Sequence, residues 1–276
     1  MTAPMKVHVL ECGRVILPRC ALFKEEKEFY PLCMITYLRR KSKLINVPAF
    51  TFLIEHPNGK KILYDTAWSS EVRTHPWRNM AASHLVDTPV LPEGECVNER
   101  IAALGYKNSD IDYVILSHMH IDHAGGLQDM LGAKKFLVSK NEYDAAGKGG
   151  IASYRSRCWE WVRLETFDYD DMGIGPLGKA KDLFGDGSVL LVATPGHTPG
   201  HTSILLRNNG KQLLLAGDNG YARKSWRDGI LPGLMKDPEN MTRSLNWTKQ
   251  FYSSADNLID VISDHETELD KFYYEF

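Results

Sequence analysis

The feature that most constrains the fold of this 276-residue chain is a run of histidines that follows a short apolar segment. Positions 117–126 read SHMHIDHAGG, so three imidazoles and a carboxylate fall within the six residues 118–123. Burying such polar side chains without partners is costly, because each loses its hydrogen bonds to water. Neutral imidazole and carboxylate are, however, ligands of zinc and related divalent cations. The run therefore indicates a metal site.

Composition disfavours several other classes of function. The net charge of -2 gives no basic footprint for nucleic acid. The five cysteines form no CxxC pair, so we expect reduced core residues rather than disulfides or a thiolate zinc site. The N-terminus lacks the apolar segment of a signal peptide, and no stretch reaches the roughly 20 apolar residues of a membrane span. We therefore expect a cytoplasmic protein with a single hydrolase domain over residues 1–276.

Hydrophobic patterning predicts two β-hairpins and four further strands. Residues 50–63 and 202–215 each contain Asn-Gly between apolar runs, which is typical of two-residue turns with positive φ at both turn residues. Each hairpin is soon followed by an aspartate, Asp65 or Asp218. This similarity between the two segments suggests two related β-rich halves. The further strands are predicted over residues 111–117, 135–139, 189–194 and 258–263.

Two helices and three irregular segments are also predicted. Gly125-Gly126 is expected to open one helix, and Asp237-Pro238 provides the N-cap and first-turn proline of another that extends to about Ser253. The irregular segments are residues 17–40, 68–95 and 145–170. Long irregular segments are often lids, so their aromatic side chains are expected to form either a substrate lid or ordinary core. These side chains are Phe23, Phe29, Tyr30, Trp77, Tyr154, Trp159 and Trp161.

Candidate ligands follow several of the predicted strands. His118 and His120 point to one side of an extended loop, whereas Asp122 and His123 emerge on the next turn towards a neighbouring point. This spacing suits two adjacent cations better than one. Three later candidates each follow an apolar strand: His197, Asp218 and His265. His201 competes with His197 as a ligand, and the histidines without partners at ligand spacing are predicted to be surface or loop residues: His8, His56, His75 and His84.

The order and spacing of these side chains resembles the metallo-β-lactamase superfamily of binuclear hydrolases, from the first hairpin to His265. The resemblance implies a four-layer αββα sandwich with two mixed β-sheets flanked by helices, and two divalent metal ions, with zinc expected. It favours His197 over His201 as the metal ligand. His201 is then expected to support the ligands. It also implies one metal held by His118, His120 and His197, another held by Asp122, His123 and His265, and Asp218 as the bridging ligand.

Within the superfamily, the chain most resembles the N-acyl homoserine lactone lactonases, which degrade bacterial quorum-sensing signals. The finer match is carried by the SHMHIDHAGG run, by the size of the chain and by Tyr221, which follows Asp218 by three residues. Three positions depart from the pattern and bear on acyl-chain preference. They are Ala67, where relatives commonly have glycine, Glu266, where aspartate is common, and Ile121, which is often aromatic.

The residue types and the resemblance together predict a mechanism. A hydroxide bridging the two metals attacks the lactone carbonyl, because divalent cations lower the pKa of bound water from about 16 towards neutrality. The first metal and the hydroxyl of Tyr221 are expected to stabilise the oxyanion. Asp122 is expected to pass a proton to the leaving ring oxygen. Asp65 is expected to orient a ligand imidazole through its other ring nitrogen.

Several alternatives share this fold. A glyoxalase II-like thioesterase has the same ligands but usually carries basic residues for the glutathione carboxylates, and Tyr221 favours a lactone. The net charge disfavours a metal-dependent phosphodiesterase or RNA-processing nuclease. A flavo-diiron reductase would carry a flavin domain, which we do not expect here, and a non-enzymatic relative would have lost ligands. The expected partner is the small-molecule substrate, with no nucleic acid, membrane or obligate protein partner.

Overall fold

The computed structural model describes residues 3–24, 32–149 and 154–276. Numbered along the chain, its strands are β1 (Lys6–Pro18), β2 (Leu44–Glu55), β3 (Lys61–Tyr64), β4 (Thr88–Val90), β5 (Tyr113–Ile115), β6 (Phe136–Ser139), β7 (Leu164–Phe167), β8 (Asp170–Asp171), β9 (Lys179–Asp182), β10 (Val189–Ala193), β11 (Thr202–Asn208), β12 (Lys211–Gly217), β13 (Leu258–Ser263) and β14 (Tyr273–Glu275). The α-helices are α1 (Arg19–Leu22), α2 (Pro76–Met80), α3 (Val97–Ala103), α4 (Ile121–Ala124), α5 (Lys140–Lys148), α6 (Arg223–Asp228) and α7 (Pro238–Ser254). Short 3-10 turns occupy Leu32–Met34, Thr36–Leu38, Lys41–Lys43, Ser70–Arg73, Ala81–Leu85, Asn108–Asp110, Gly125–Met130 and Ser156–Cys158.

The strands form two mixed sheets. The first has the order β14-β1-β2-β3-β5-β6-β7, and β4 pairs with residues 14–16 of β1. Pairing is antiparallel up to β3 and parallel from β3 to β7. The second has the order β13-β12-β11-β10-β9-β8, in which only β12 and β13 are parallel. One predicted hairpin lies in each sheet.

The side-chain pattern of β12 shows how the layers stack. Leu213 and Leu215 join the core between the sheets, which also contains Phe52 of β2, whereas Leu214 packs in a separate core with Leu245 of α7. Alternate residues of a strand point to opposite faces, so a run of leucines buries both faces of the sheet. The outer face of the first sheet packs against α3 in the same way. Helix, sheet, sheet and helix follow one another, which confirms the predicted αββα sandwich.

Only one of the two hairpins has the predicted two-residue turn. Asn208 pairs with Lys211, and Asn209 and Gly210 between them both have positive φ, as predicted. In the first hairpin Glu55 pairs with Lys61, which leaves a five-residue loop over residues 56–60. Gly59 alone adopts positive φ there, because the Asn58 side chain accepts a hydrogen bond from the Lys60 amide instead. The prediction of a two-residue turn at Asn58-Gly59 is therefore wrong.

The two helix predictions also had different outcomes. Helix α7 begins after Asp237, whose carboxylate accepts hydrogen bonds from two first-turn amides, and it ends one residue beyond the predicted boundary. The helix expected from Gly125 is wrong, since α4 ends at Ala124 and a 3-10 turn follows. A Cβ at Gly126 would overlap the carbonyl oxygen of Thr66. The two glycines therefore permit close packing of the backbone rather than marking a helix start.

The segments predicted as irregular contain short 3-10 turns together with small regular elements, including β4, β7, α1 and α2. Phe29 and Tyr30 lie outside the described residues. All five cysteines are buried, as predicted. His56 lies in a loop, as predicted, and His84 lies in a 3-10 turn. Both are buried, because each finds a hydroxyl partner, Ser188 at 2.8 Å and Tyr37 at 3.0 Å respectively. Within the described ranges, none of the helices has the length and apolar character to cross a membrane.

Candidate metal centre

The histidine run enters the centre from β5 and is held between the two sheets at Ser117. The Ser117 amide donates to Asp65 Oδ1 at 2.7 Å, and its carbonyl accepts from the amide of Thr202 in β11 at 2.9 Å. The chain then begins α4, whose first turn closes through hydrogen bonds from the His123 and Ala124 amides to the carbonyl of His120. Anchoring at Ser117 therefore directs the whole run towards the interface of the sheets.

Three imidazoles converge at the first group of candidate ligands. The nitrogens His118 Nε2, His120 Nδ1 and His197 Nε2 lie 3.0–3.1 Å from one another. Three nitrogens bound to one zinc at about 2.0–2.1 Å in tetrahedral geometry would lie about 3.3–3.4 Å apart, close to this spacing. Burial lowers the pKa of each of these imidazoles below its usual value. These three neutral nitrogens lie too close together for each to carry a proton. A cation bound by all three fits this arrangement.

A second group lies beside the first. It consists of Asp122, His123 and His265, with His265 Nε2 3.6 Å and His123 Nε2 3.9 Å from Asp122 Oδ2. Among the described residues, buried His123 Nε2 has no hydrogen-bond partner. Burial alone would lower the His123 pKa, but the carboxylates of Asp218, Asp122 and Asp65 raise it well above its usual value. This concentration of negative charge around an unpaired nitrogen fits a second cation.

Asp218 lies between the two groups. Its Oδ2 is 3.3 Å from His197 Nε2, and its Oδ1 is 3.4 Å from His265 Nε2. Oδ1 is buried and has no hydrogen-bond partner among the described residues. Oδ2 is also 3.5 Å from His123 Nε2, so the carboxylate contacts both groups, as a bridging ligand must.

The ring nitrogens that point away from the centre are held by other groups. Such contacts fix the orientation and tautomer of an imidazole that binds a metal. The pairs are His118 Nδ1 with Ser117 Oγ (2.9 Å), His123 Nδ1 with Asp65 Oδ2 (2.9 Å), His197 Nδ1 with the Leu234 carbonyl (3.0 Å) and His265 Nδ1 with the Pro48 carbonyl (2.7 Å). Four of the imidazoles are thus aimed before any cation binds.

Asp65 contacts His123, as expected from the sequence, but a second carboxylate was not anticipated. Asp65 has an unfavourable positive φ of 62° and also accepts a hydrogen bond from Ser117 Oγ at 2.6 Å. Asp264 Oδ2 lies 3.2 Å from His123 Nδ1, and burial raises the Asp264 pKa. The sequence signal for Asp264 was its position immediately before His265 at the end of β13. The His123 ring is therefore flanked by two buried carboxylates.

His201 lies behind the centre, outside the groups of converging ligand atoms. Its Nε2 accepts a hydrogen bond from the Asp218 amide at 2.9 Å, and its Nδ1 lies 2.8 Å from Thr194 Oγ1. Burial, together with the charge of His197, lowers the His201 pKa to about 3. Gly217, with φ of +61°, leaves room for this ring, because a Cβ there would lie 2.7 Å from His201 Nε2. His201 thus holds the backbone of Asp218.

Glu142 is a further residue that the sequence interpretation missed. It is fully buried in the first turn of α5 and accepts hydrogen bonds from the Met119 amide at 3.0 Å and the Gly200 amide at 3.1 Å. These amides belong to the two loops that carry the histidines. The Ser139-x-x-Glu142 spacing resembles a capping box. In a capping box the glutamate would accept a hydrogen bond from the N-cap amide of its own helix. The carboxylate instead ties the two loops together.

A cavity opens onto the centre and contains Tyr221. The Tyr221 ring centroid lies 5.4 Å from those of His197 and His265, and its hydroxyl is 3.3 Å from His197 Nδ1. Burial, followed by the charge of Asp218, raises the Tyr221 pKa well above 10, so the hydroxyl keeps its proton. The cavity is also lined by five candidate ligands: His120, Asp122, His197, Asp218 and His265.

The irregular segments contribute to this cavity unequally. Residues 17–40 provide Leu17, and residues 68–95 provide Ser83, Val86 and Asp87. Residues 145–170 place buried Tyr154 with its ring centroid 5.5 Å from that of His120. Trp77 and Trp161, by contrast, are more than half exposed. Some of the aromatic side chains are therefore core and others lie on the surface.

Comparison with known proteins agrees with this geometry. The metallo-beta-lactamase superfamily profile matches residues 45–251. The N-acyl homoserine lactonase AttM of Rhizobium radiobacter is 30% identical over 233 residues, covering 80% of this chain and 83% of the relative. AttM of Azorhizobium caulinodans is 32% identical over 210 residues, covering 72% and 75%.

A solved N-acyl homoserine lactone hydrolase, with N-hexanoyl-L-homoserine bound at its catalytic metal centre, has the same fold. It superposes with a TM-score of 0.77 at 22% identity, covering 97% of this chain and 95% of that chain. The profile match spans the first hairpin, the histidine run and most of α7. The chain therefore belongs to the metallo-beta-lactamase superfamily.

Proposed function

We propose that this chain is a binuclear metal-dependent hydrolase that opens the lactone ring of N-acyl homoserine lactones. The observation that carries the proposal is the pair of adjoining ligand groups with Asp218 between them, open to a cavity that contains Tyr221. The similarity to the AttM lactonases selects the lactone from the substrates that such a centre could hydrolyse. In bacteria that use these signals, the product would be an inactive, ring-opened acid.

The ligands follow from the two groups. We assign one cation to His118, His120 and His197, and the other to Asp122, His123 and His265, with Asp218 shared between them. Imidazole and carboxylate donors suit zinc, although manganese, iron and cobalt accept similar ligands. We propose zinc as the metal and the cytoplasm as the location. His201 and Asp65 support the ligands, together with Asp264.

When bound, the two cations would lower the pKa of a water molecule so that it can act as the nucleophile, and would stabilise negative charge on the lactone carbonyl oxygen. Tyr221 donates a hydrogen bond from its hydroxyl to the same carbonyl oxygen as the carbon becomes tetrahedral. The neighbouring His197 does not compete for this hydrogen bond. His197 presents Nε2 to the centre, so its Nδ1 carries a hydrogen that is donated to the Leu234 carbonyl at 3.0 Å. The Tyr221 hydroxyl is therefore available to the substrate.

Asp122 passes a proton to the ring oxygen that leaves. Its side chain is 16% exposed, whereas those of His123, Asp218 and His265 are at most 2% exposed. A ligand that remains accessible from the cavity can exchange a proton with the substrate or with water. Asp218, the other carboxylate among the ligands, is only 2% exposed, so we assign to Asp122 the role of taking a proton from the attacking water and passing it to the ring oxygen.

A proton-release assay on purified protein tests the proposal. The substrates are N-hexanoyl homoserine lactone, a glutathione thioester and an aryl phosphodiester. Each releases a proton when the new carboxylic acid or phosphate monoester ionises. We expect kcat/KM for the lactone to exceed that for either alternative by roughly 100-fold or more. Asp218→Asn serves as the control for metal dependence and should lose activity on all three. Lactone turnover no better than thioester turnover would refute the specific function.

The thioesterase remains the main competitor, and the cavity bears on it directly. Lys236 is the one lysine or arginine among the described residues that line the cavity, and it lies at an exposed position. Two carboxylates of a glutathione moiety would ordinarily require more than one cationic partner. This paucity of basic groups favours the lactone.

A further inference from the structure

Asp87 is a carboxyl group in the cavity that the proposed mechanism does not use. It lines the cavity beside His120, Asp122 and Tyr221 but belongs to none of the groups of converging ligand atoms. Its backbone is fixed, because its amide donates to the Ser83 carbonyl at 2.9 Å and its carbonyl lies 3.2 Å from His84 Nδ1. The side chain therefore occupies a defined position beyond the 3-10 turn at Ala81–Leu85.

The Asp87 carboxyl group has no protein partner that satisfies it. Among the described residues, no hydrogen bond or ion pair to its side chain is found, and the residue is partly buried in the cavity wall. A ligand that fills the cavity would exclude water from this carboxyl group. The group would then need a hydrogen bond from the ligand, because a polar group that loses water without gaining a partner is costly.

The chemistry of the proposed substrate indicates which group this is. A lactone ester offers only acceptors, whereas the N-acyl amide offers both an N–H donor and a carbonyl acceptor. The amide nitrogen lies two bonds, or about 2.5 Å, from the reacting carbonyl carbon. When that carbon is at the centre, the amide must therefore lie within the cavity that Asp87 lines. An aspartate can accept from the N–H or, when protonated, donate to the carbonyl.

We propose that Asp87 hydrogen-bonds the amide of N-acyl homoserine lactones and selects them over lactones that lack an amide. This inference rests on the proposed function and assigns a specificity-determining residue to it. The remaining wall supports the assignment, because Leu17, Val86 and Met235 offer only apolar side chains, and its polar residues Ser83 and Lys236 already have interactions of their own. A buried polar group left without its partner penalises the wrong substrate, which is how such a residue discriminates.

The test compares two substrates and three variants. N-hexanoyl homoserine lactone and γ-decanolactone share the five-membered ring and an apolar chain, but only the first has an amide. Asp87→Leu removes hydrogen bonding at similar volume, and Asp87→Asn keeps it. Asp171→Leu, which removes an exposed carboxylate outside the cavity, is the matched control. Bound metal and the thermal midpoint are measured for every variant.

We expect Asp87→Leu to lower kcat/KM for the acyl homoserine lactone by about 10- to 100-fold, mainly through KM, and to leave γ-decanolactone turnover within about twofold. Asp87→Asn should retain most of the selectivity, and Asp171→Leu all of it. Equal losses on both lactones, or no loss on either, would overturn the inference while leaving the lactonase function intact. Wild-type protein that hydrolyses neither lactone would instead refute the proposed function.

Discussion

The substitution Tyr221→Phe removes the hydroxyl that we propose to be catalytic but keeps the aromatic ring and its packing. The ring lies against His197 and His265, and phenylalanine preserves that contact. The hydroxyl makes one long contact, 3.3 Å to His197 Nδ1, so its removal should cost the fold less than about 1 kcal/mol. Loss of the hydroxyl should therefore mainly raise the free energy of the transition state.

The size of the effect follows from the charge that the hydroxyl stabilises. Removing a donor from an oxyanion site costs about 2.7–4 kcal/mol. Here a cation shares the developing charge, so the lower end of that range applies. At about 1.36 kcal/mol for each tenfold change in rate, we expect kcat/KM for N-hexanoyl homoserine lactone to fall roughly 100-fold.

The assay is the initial rate of proton release, with metal content and thermal midpoint measured on the same samples. Tyr169→Phe is the matched control, because its hydroxyl lies 2.7 Å from Thr202 Oγ1 and outside the cavity. That variant should lose about 1 kcal/mol of stability but keep its activity within about twofold. A Tyr221→Phe protein that holds two metals and retains more than half of the wild-type kcat/KM would refute the catalytic role of the hydroxyl.

Three further substitutions test other parts of the centre. Asp122→Asn should lower kcat by at least about 100-fold while leaving KM nearly unchanged, and unaltered turnover with both metals retained would contradict its role as general acid. Glu142→Gln places an amide N–H against Met119 or Gly200 and should destabilise the protein by about 1–3 kcal/mol and weaken metal binding, whereas exposed Glu165→Gln should do neither. Gly217→Ala should cost about 2–4 kcal/mol in denaturant unfolding, because its Cβ would meet His201 and Tyr64, while Gly210→Ala, with open space around it, should cost only about 1 kcal/mol. If both substitutions lowered the free energy of unfolding equally, the effect would come from backbone strain alone and not from contact with His201 and Tyr64.

The elements with strong local signals could be predicted from the sequence. Asp237-Pro238 specifies the start of α7, and the hairpin at Asn209-Gly210 has the predicted turn, because the physical causes lie within a few residues. The four predicted strands all exist, although β5 is shorter than the apolar run that indicated it. Asn58-Gly59 carries the same dipeptide but belongs to a longer loop. The pairing of Glu55 with Lys61 depends on the register of the whole sheet, which the dipeptide does not encode.

The residues of the candidate metal centre likewise divide into those that the sequence predicted and those that only the structure revealed. The seven candidate ligands lie at strand ends and in loops where the pattern indicated them, and the structure brings them into two adjoining groups. Asp264, Glu142 and Asp87 have no motif of their own. Each acquires its place through residues that are distant along the chain, as when Glu142 receives amides from Met119 and Gly200. Tertiary contacts of this kind appear only once the sheets are stacked.

Metal reconstitution tests the central claim most directly. Protein stripped with a chelator is titrated with zinc, and hydrolysis of N-hexanoyl homoserine lactone is measured at each step. Two adjoining ligand groups that share Asp218 predict no turnover in the stripped protein and a maximum rate at about two equivalents of zinc. A full rate at one equivalent, or turnover that survives complete removal of metal, would contradict the binuclear centre.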